Sequence, residues 1–292
     1  MKMQSHPIAI IEGLLVAIIW ASSFVFVKMA LAYMGPFTIA GLRYSLGFLI
    51  LLPFMVPRLR ALRGLPPRLW IRLIIIGIVA YTIANGAFYL SLRYLPAVTL
   101  SFVNSLGPLL VLFAGVVWLQ EIPARLQVIG VVISLVGGAL FFSPGLRGAE
   151  PLGIAIGAIG MISFVAFGIL ARGVARDRHI DALSRAAIPL AVGGVSLLLI
   201  AIPLEGLPPL TVNGWAIVLW LALVNTTVAY VLYHHSLQEL TALEMNVLLN
   251  LCPLGAALLA WLLLGETLTA VQILGMMVVI FGVTLVQQMR PR

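Results

Sequence analysis

The chain is a series of long apolar runs separated by short polar breaks. Each run holds roughly twenty residues, the length of α-helix that crosses the hydrocarbon core of a bilayer. The breaks carry proline, glycine and charged residues, which end helices and favour a water boundary. The pattern therefore predicts ten transmembrane helices, at residues 8–31, 36–56, 71–94, 97–118, 126–142, 152–173, 183–203, 213–237, 241–263 and 269–287.

Composition supports this prediction. The 292 residues are 62% apolar and 9% charged, with a mean hydropathy of +1.16. That is too little charge to cover the surface of a soluble globule. Ten spans with short turns also leave no room for a sizeable soluble domain, so the predicted fold class is an all-α integral membrane protein.

One stretch of the chain, Leu95 to Glu121, occurs twice. Its positions return 145 residues later, and they pair Leu95-Pro96-Ala97 with Leu240-Thr241-Ala242, Pro108 with Pro253, Leu119-Gln120-Glu121 with Leu264-Gly265-Glu266, Gly130 with Gly275, and Gly137 with Gly282. The chain is therefore predicted to hold two repeats of five helices, residues 1–145 and 146–292. Because five is odd, the second repeat enters the membrane upside down, which gives the inverted repeats common in secondary transporters.

The basic residues predict the orientation of these helices. With the N-terminus in the cytoplasm, the inner side collects thirteen: Lys2, Arg58, Arg60, Arg63, Arg68, Arg72, Arg125, Arg172, Arg176, Arg178, Arg185, Arg290 and Arg292. The outer side receives three, Lys28, Arg93 and Arg147. Positive residues favour the cytoplasmic side, so both termini are predicted inside, in a multi-pass protein of a bacterial-type inner membrane. The net charge is +8, but the basic residues lie between apolar runs, which argues against a nucleic-acid partner.

The duplicated motifs resemble a known family. The matching residues are Tyr89 to Ala97, Pro108, Leu119-Gln120-Glu121 and Gly130, their second copies from Tyr233 to Gly275, and Trp20-Ala21-Ser22-Ser23-Phe24 with Lys28 and Arg43. In these residues the chain resembles the EamA-type transporters of the drug/metabolite transporter superfamily, along nearly its whole length. The resemblance implies ten helices, inverted five-helix repeats and export of small metabolites. Within this family the chain resembles the ten-span amino-acid exporters of bacterial inner membranes.

Two polar stripes are the strongest candidates for a substrate site. Tyr81, Asn85 and Tyr89 recur every four residues on the third predicted helix, and Thr226, Tyr230 and His234 occupy the same aligned positions on the eighth. Residues four apart share one face of an α-helix. Lipid offers polar groups no partner, so these stripes are expected to face a cavity. Ordinary hydrogen bonding between helices is the alternative.

Other polar residues in the spans complete the predicted site. Trp20 lies mid-helix, away from the interfaces where tryptophan is usual, and asparagines flank prolines that free a backbone carbonyl. The predicted substrate-binding residues are Trp20, Ser23, Tyr81, Asn85, Tyr89, Asn104, Ser163, Tyr230, His234 and Asn250. The sequence predicts a neutral cavity between the halves, with aromatic walls suited to a zwitterion.

A second set of residues is predicted to act in gating or in structure: Glu12, Arg43, Pro108, Glu121, Glu244, Pro253 and Glu266. Glu12, Arg43 and Glu244 are the charges inside predicted spans, and snorkelling or pairing near a boundary is the alternative for them. Glu121 and Glu266 end their helices at opposite faces. The adjacent His234 and His235 point to different faces, so no metal site is predicted.

The sequence predicts a transporter that exports small metabolites by alternating access, with amino acids, aromatic or other neutral ones, as the expected substrates. It shows no nucleophile with a base and orienter and no phosphate loop, so neither an enzyme nor a cofactor is predicted. The predicted partners are the substrate and the lipid bilayer, and no oligomeric state is predicted. One alternative is an exporter of drug-like cations or sugar-linked metabolites. Another is an integral-membrane enzyme or a lipid-processing protein.

Overall fold

The computed structural model describes residues 6–95, 100, 103–143, 150–176, 180–206, 211–264 and 269–287. Every regular element in these ranges is a helix. The spans are α1 (His6–Ala30), α2 (Pro36–Met55), α3 (Pro67–Ser91), α4 (Val103–Leu119), α5 (Arg125–Phe142), α6 (Pro151–Ala175), α7 (Ala182–Glu205), α8 (Val212–Ser236), α9 (Ala242–Leu249, then Cys252–Leu264) and α10 (Ala270–Gln287). A short helix, Leu59–Arg63, lies between α2 and α3.

These helices confirm the predicted all-α membrane fold. Eight of them are long and apolar enough to cross a bilayer, and α4 and α9 are shorter apolar helices. Large apolar side chains point outward along the bundle, among them Phe113 (67% exposed) and Leu199 (70% exposed). An outer surface this apolar belongs against lipid rather than water. Trp118 is 71% exposed near the end of α4, in agreement with a role at the membrane interface.

The helix bounds repeat with the period of the sequence motifs. Three pairs of helices have bounds that differ by 145 residues at both ends: α1 and α6, α3 and α8, and α5 and α10. α4 and α9 are also interrupted at matching places, by a turn at Leu106 and by turns at Asn250 and Leu251. In both, the interruption is followed by a helical segment whose second residue is proline, Pro108 or Pro253. The missing N–H of proline is tolerated there, because the first turn of a helix has no partner for it.

Glycines bring α5 and α10 into direct backbone contact. A Cβ atom on Gly137 would lie 2.5 Å from the Val279 nitrogen and 2.9 Å from the Gly275 carbonyl oxygen. One on Gly282 would lie 2.6 Å from the Gly130 carbonyl oxygen. Gly130 therefore faces Gly282 while Gly137 faces Gly275, which means that the two helices run antiparallel.

The pair α2 and α7 is antiparallel as well. Thr38, at the start of α2, donates its backbone N–H to Glu205 at the end of α7 (2.8 Å). Further along, a Cβ atom on Gly194 would lie 2.6 Å from the backbone nitrogen of Ser45. The face of the bundle at which α1 begins is called the amino-terminal face below, and the other is called the opposite face.

Two helices change their winding in the middle of the bundle. Residues Gly77–Asn85 of α3 and Leu221–Val228 of α8 form π-helical turns, which hydrogen-bond from residue i to i+5. In both, a polar side chain donates to the carbonyl five residues earlier: Asn85 to Ala80 (2.6 Å) and Thr227 to Ala222 (2.8 Å). Because four residues no longer make a full turn there, the predicted stripes on these two helices do not keep one face.

Candidate functional site

A cavity of about 90 Å³ lies within the bundle, with room for about three water molecules at the density of the liquid. Residues of α1, α2, α3, α4, α6, α8 and α9 surround it, so both halves of the chain contribute. Its lining consists of Trp20, Ser23, Val27, Arg43, Asn85, Phe88, Tyr89, Leu92, Leu100, Asn104, Phe164, Tyr230, Leu249 and Cys252. Val27 and Leu92 lie near the ends of α1 and α3, so the cavity extends toward the opposite face.

Six of the ten predicted substrate-binding residues line this cavity: Trp20, Ser23, Asn85, Tyr89, Asn104 and Tyr230. The structure therefore brings together side chains that are up to 210 residues apart in the chain (Trp20 to Tyr230). The other four, Tyr81, Ser163, His234 and Asn250, do not line it.

Tyr81 and His234 lie behind the cavity wall. Tyr81 is fully buried, with its ring centroid 4.8 Å from that of Tyr44 and 4.9 Å from that of Tyr230. His234 is buried edge-on against Phe167, at 6.1 Å between ring centroids. Neither His234 ring nitrogen has a hydrogen-bond partner among the described residues. Tyr81 lies within the π-helical turn of α3, which moves it off the line of Asn85 and Tyr89. His234 lies after the π-helical turn of α8, in the same regular helical segment as Tyr230, and packs against Phe167 instead of the cavity.

The other two residues lie on helices that border the site. Ser163 precedes Phe164 on α6, but only Phe164 lines the cavity. The Asn250 side chain donates to the Ser105 carbonyl (3.4 Å), which joins the interruption in α9 to the region of the interruption in α4. Leu249 and Cys252 flank the α9 interruption and line the cavity, so non-helical backbone lies beside it, as in many transporter sites.

Arg43 lines the cavity, and the predicted neutral cavity is therefore wrong. The residue is 3% exposed and donates to four acceptors. Nε donates to Thr226 Oγ1 (2.8 Å), Nη1 to Ser23 Oγ (3.0 Å) and to the Tyr89 hydroxyl, and Nη2 to the Asn225 carbonyl (3.0 Å). All four acceptors are neutral.

A buried arginine without a carboxylate partner is unusual in a membrane helix. The described part of the chain places no Asp or Glu in a salt bridge with Arg43, and its further neighbour is the Tyr44 ring, 5.0 Å from Cζ. An arginine at mid-membrane costs roughly 2.5–3.5 kcal/mol on insertion scales. The sequence does show this buried charge, since Arg43 interrupts an apolar helix. The direction in which the arginine side chain points depends on packing.

Asn225 organises the neighbouring part of the site and was missed by the sequence argument. Its carbonyl accepts from Trp20 Nε1 (3.0 Å) as well as from Arg43, and its side-chain amide donates to the Ile19 carbonyl (2.5 Å) and to Ser22 Oγ (3.0 Å). These bonds tie the π-helical turn of α8 to the middle of α1. The Trp20 ring packs 5.0 Å from that of Tyr230, between centroids.

Glu121 joins three parts of the amino-terminal face. Its carboxylate accepts from Arg172 Nε (2.8 Å), from Arg176 Nη2 (2.7 Å) and from the Ala242 backbone nitrogen (3.3 Å). Arg172 also donates to the Leu237 carbonyl (2.6 Å). The end of α4, the end of α6 and the connection between α8 and α9 are therefore held together at this face.

The other predicted gating or structural acids have simpler surroundings. Glu12 contacts the His235 ring nitrogen at 2.8 Å, which links the start of α1 to the end of α8. Glu244 caps its own helix by accepting from the Thr241 backbone nitrogen (2.7 Å) and hydroxyl (3.0 Å). Glu266 lies outside the described residues.

Two further acids at helix ends were not singled out from the sequence. At the opposite face, Glu205 accepts from the backbone nitrogens of Phe37 (3.1 Å) and Thr38 (2.8 Å), which are free donors at the start of α2. At the amino-terminal face, partial burial of Asp181 opposes its ionisation. Hydrogen bonds from Ser184 and Arg58 outweigh this, so the pKa of Asp181 lies below its usual value.

Comparison with known proteins follows from this architecture. The EamA-like transporter family model matches residues 7–143 and again residues 151–287. The chain belongs to the EamA-like transporter family. An inner membrane transporter of Escherichia coli (strain K12), YedA, is 27% identical over 272 residues, which cover 92% of this chain and 87% of the relative.

Two further comparisons place this EamA-like transporter among its relatives. The S-adenosylmethionine/S-adenosylhomocysteine transporter of Chlamydia muridarum is 24% identical and covers 90% of this chain and 86% of its own. A crystal structure superposes with a TM-score of 0.80 at 16% identity, over 95% of each chain, and supports the fold. The protein is therefore a multi-pass membrane transporter.

Proposed function

We propose that this EamA-like transporter exports small metabolites, with neutral amino acids as the expected substrates, by alternating access across a bacterial-type inner membrane. The observation that carries the proposal is the internal cavity, which helices from both halves of the chain enclose. A site shared by two halves opens to one side or the other when one half rocks against its partner.

The packing of α5 against α10 supports inverted repeats, with residues 1–145 as one and 146–292 as the other. Gly130 and Gly275 are related by the repeat, as are Gly137 and Gly282. Exchanging the two helices converts the contact of Gly130 with Gly282 into that of Gly275 with Gly137. A two-fold axis that exchanges antiparallel helices is perpendicular to them. For helices that cross a bilayer, such an axis lies in the membrane plane.

The distribution of basic residues supports cytoplasmic termini. Among the described residues, the amino-terminal face holds Arg58, Arg60, Arg63, Arg68, Arg72, Arg125, Arg172, Arg176 and Arg185, and the opposite face holds Lys28 and Arg93. The excess of arginine supports the proposal that the amino-terminal face is cytoplasmic. On this assignment the cavity extends outward while the Glu121 cluster closes the inner side, as in an outward-facing state.

The cavity favours a small metabolite over the rival substrates. Its volume of about 90 Å³ is below the roughly 300–1,000 Å³ of sites for drug-sized ligands. Its charge is positive, which disfavours drug-like cations. The relative from Chlamydia muridarum is named for S-adenosylmethionine and S-adenosylhomocysteine. These molecules are larger than the cavity favours, and it is the α-amino acid group they share that supports amino acids as the substrate class.

Uptake into proteoliposomes tests the function. Purified protein is reconstituted into lipid vesicles. The vesicles contain unlabelled amino acids and receive a panel of labelled amino acids from outside, with and without a pH gradient. We expect exchange of at least one neutral amino acid above protein-free vesicles. If the vesicles exchange sugar-linked metabolites or organic cations but no amino acid, amino acids are refuted as the substrate class. Such a result would still support a transport function.

A further inference from the structure

We propose that Arg43 is the anion-binding residue of the cavity and that the transported molecule carries a carboxylate beside an apolar side chain. This inference rests on the proposed transport function and names the chemical class of its substrate. Arg43 is charged, whereas every group that accepts a hydrogen bond from its guanidinium is neutral.

The hydrogen bonding of Arg43 leaves room for a stronger partner. A guanidinium has five N–H donors, and four hydrogen bonds join Arg43 to protein acceptors, three of them hydroxyls and one a backbone carbonyl. A carboxylate forms charge-assisted bonds about twice as strong as neutral ones, and it fits the planar fork with two parallel bonds. A carboxylate that enters the cavity can therefore displace a hydroxyl from Nη1 or take the remaining N–H of Nη2.

The neighbours of Arg43 hold it in place for this role. They come from α1 (Ser23), α3 (Tyr89) and α8 (Thr226 and the Asn225 carbonyl), whereas Arg43 itself belongs to α2. The guanidinium therefore connects its own helix, α2, to three others, which come from both halves of the chain. A ligand that binds to it contacts an element whose position changes when the halves move, which links binding to alternating access.

The duplication does not copy the charge. The residue 145 positions after Arg43 is Ile188, which is buried on α7. The cavity therefore has one cationic end instead of two related ones. A substrate with a single carboxylate fits such a cavity in one orientation, whereas a dicarboxylate would bury a second charge beside apolar groups.

The rest of the lining suits an apolar side chain. Phe88, Phe164 and Trp20 give aromatic surface, and the Trp20 and Phe164 ring centroids are 6.0 Å apart in an edge-to-face arrangement. Asn85 uses its amide nitrogen to donate to the Ala80 carbonyl (2.6 Å). The Asn85 side chain lies within hydrogen-bonding reach of Tyr230, and its oxygen can accept from a substrate donor such as an ammonium group. Together these groups match an α-amino acid with an aliphatic or aromatic side chain.

Ligand-induced stabilisation of the purified protein tests the proposal with four probes of similar shape: phenylalanine, 3-phenylpropionate, phenylalaninamide and phenethylamine. Unfolding temperatures are measured in detergent for wild type, Arg43→Gln and Arg43→Lys, with and without an anionic phospholipid. We expect the two carboxylates to stabilise wild type and to bind Arg43→Gln about tenfold to a hundredfold more weakly. Arg43→Lys keeps the charge without the fork and is expected to be intermediate.

Arg185→Gln is the matched control, because Arg185 is a buried arginine of α7 that donates to the Ala175 carbonyl and does not line the cavity. It is expected to lower the unfolding temperature without changing carboxylate affinity. A second readout is the native Cys252 in the cavity lining. We expect the carboxylates to slow its alkylation in wild type and in Arg185→Gln, but not in Arg43→Gln.

Three results would overturn the proposal. Phenethylamine could stabilise the protein as much as the carboxylates do, or Arg43→Gln could keep the carboxylate affinity of wild type. The anionic phospholipid could also stabilise the protein while the carboxylates have no effect. Absence of any carboxylate effect on both readouts would overturn it too. Amino-acid exchange in the vesicles described above would then still support transport, so the two failures are distinguishable.

Discussion

Two tyrosines that the sequence treats alike have different surroundings in the structure. Tyr230 lines the cavity, whereas Tyr81 is fully buried behind it and contacts Tyr44, Tyr230 and Phe167. The sequence predicts that both bind substrate, because each belongs to one of the two aligned polar stripes. The distinction matters for mutagenesis, since loss of a wall residue and loss of a packing residue produce different defects.

Tyr230→Ala is expected to lower transport about tenfold, which corresponds to about 1.4 kcal/mol of lost substrate contact. Tyr81→Ala is expected instead to lower stability by about 3–5 kcal/mol, because it removes a ring from a packed aromatic cluster. Initial rates of exchange and unfolding temperatures separate these effects. Trp215→Ala, near the start of α8 and outside the lining, serves as the control. Normal transport by a folded Tyr230→Ala variant would remove Tyr230 from the site.

At the scale of the helix, close backbone contact explains why particular glycines are needed. Gly137 and Gly138 are neighbours on α5 but face different surroundings. A Cβ atom on Gly137 would collide with α10 at 2.5 Å, whereas one on Gly138 would meet only Ser105 Oγ, at 3.7 Å. Adjacent residues of one helix thus provide a test of the α5–α10 interface.

Gly137→Ala is expected to lower stability by about 1–3 kcal/mol, because the new methyl group forces the two backbones apart. Gly138→Ala is expected to stay near wild type, since its methyl group meets an ordinary contact. Thermal unfolding in detergent measures both variants. If the two variants unfold at the same temperature, the close α5–α10 contact is not present in solution.

At the scale of the whole molecule, the Glu121 cluster connects both halves at the amino-terminal face. Arg172 and Arg176 belong to α6, and Ala242 begins α9. The cavity extends to the opposite face, so opening toward the amino-terminal face requires these contacts to separate. Weakening them is expected to increase the population of the inward-open state.

Glu121→Gln removes the charge from this cluster, and we expect faster alkylation of Cys252 from the amino-terminal face, measured in inside-out membrane vesicles. A several-fold increase corresponds to about 1 kcal/mol of population shift. Glu239→Gln removes a charge at the same face, where Glu239 forms no ion pair with another described residue, and is expected to change nothing. An unchanged rate in Glu121→Gln would show that the cluster is structural and does not gate.

Orientation is tested by single cysteines on a Cys252→Ala background. Arg63→Cys is expected to resist a membrane-impermeant thiol reagent in intact cells, and Glu150→Cys is expected to react, because both positions are exposed and lie on different faces. Labelling of residue 63 from outside would reverse the assignment of the faces.

The sequence determined the ten spans, the duplication and the basic face, because each depends on local features: the length of an apolar run, a motif repeated at a fixed distance, and charges counted loop by loop. It also selected Trp20, Asn85 and Tyr230, since polar groups in lipid-spanning helices need partners away from lipid. The tertiary structure decided which of the selected residues meet. The π-helical turn of α3 rotated Tyr81 out of the cavity, and His234 packs against Phe167 behind the wall. Packing of α2 against α1, α3 and α8 turned Arg43 into it, and that direction depends on acceptors as far as 183 residues away, such as Thr226.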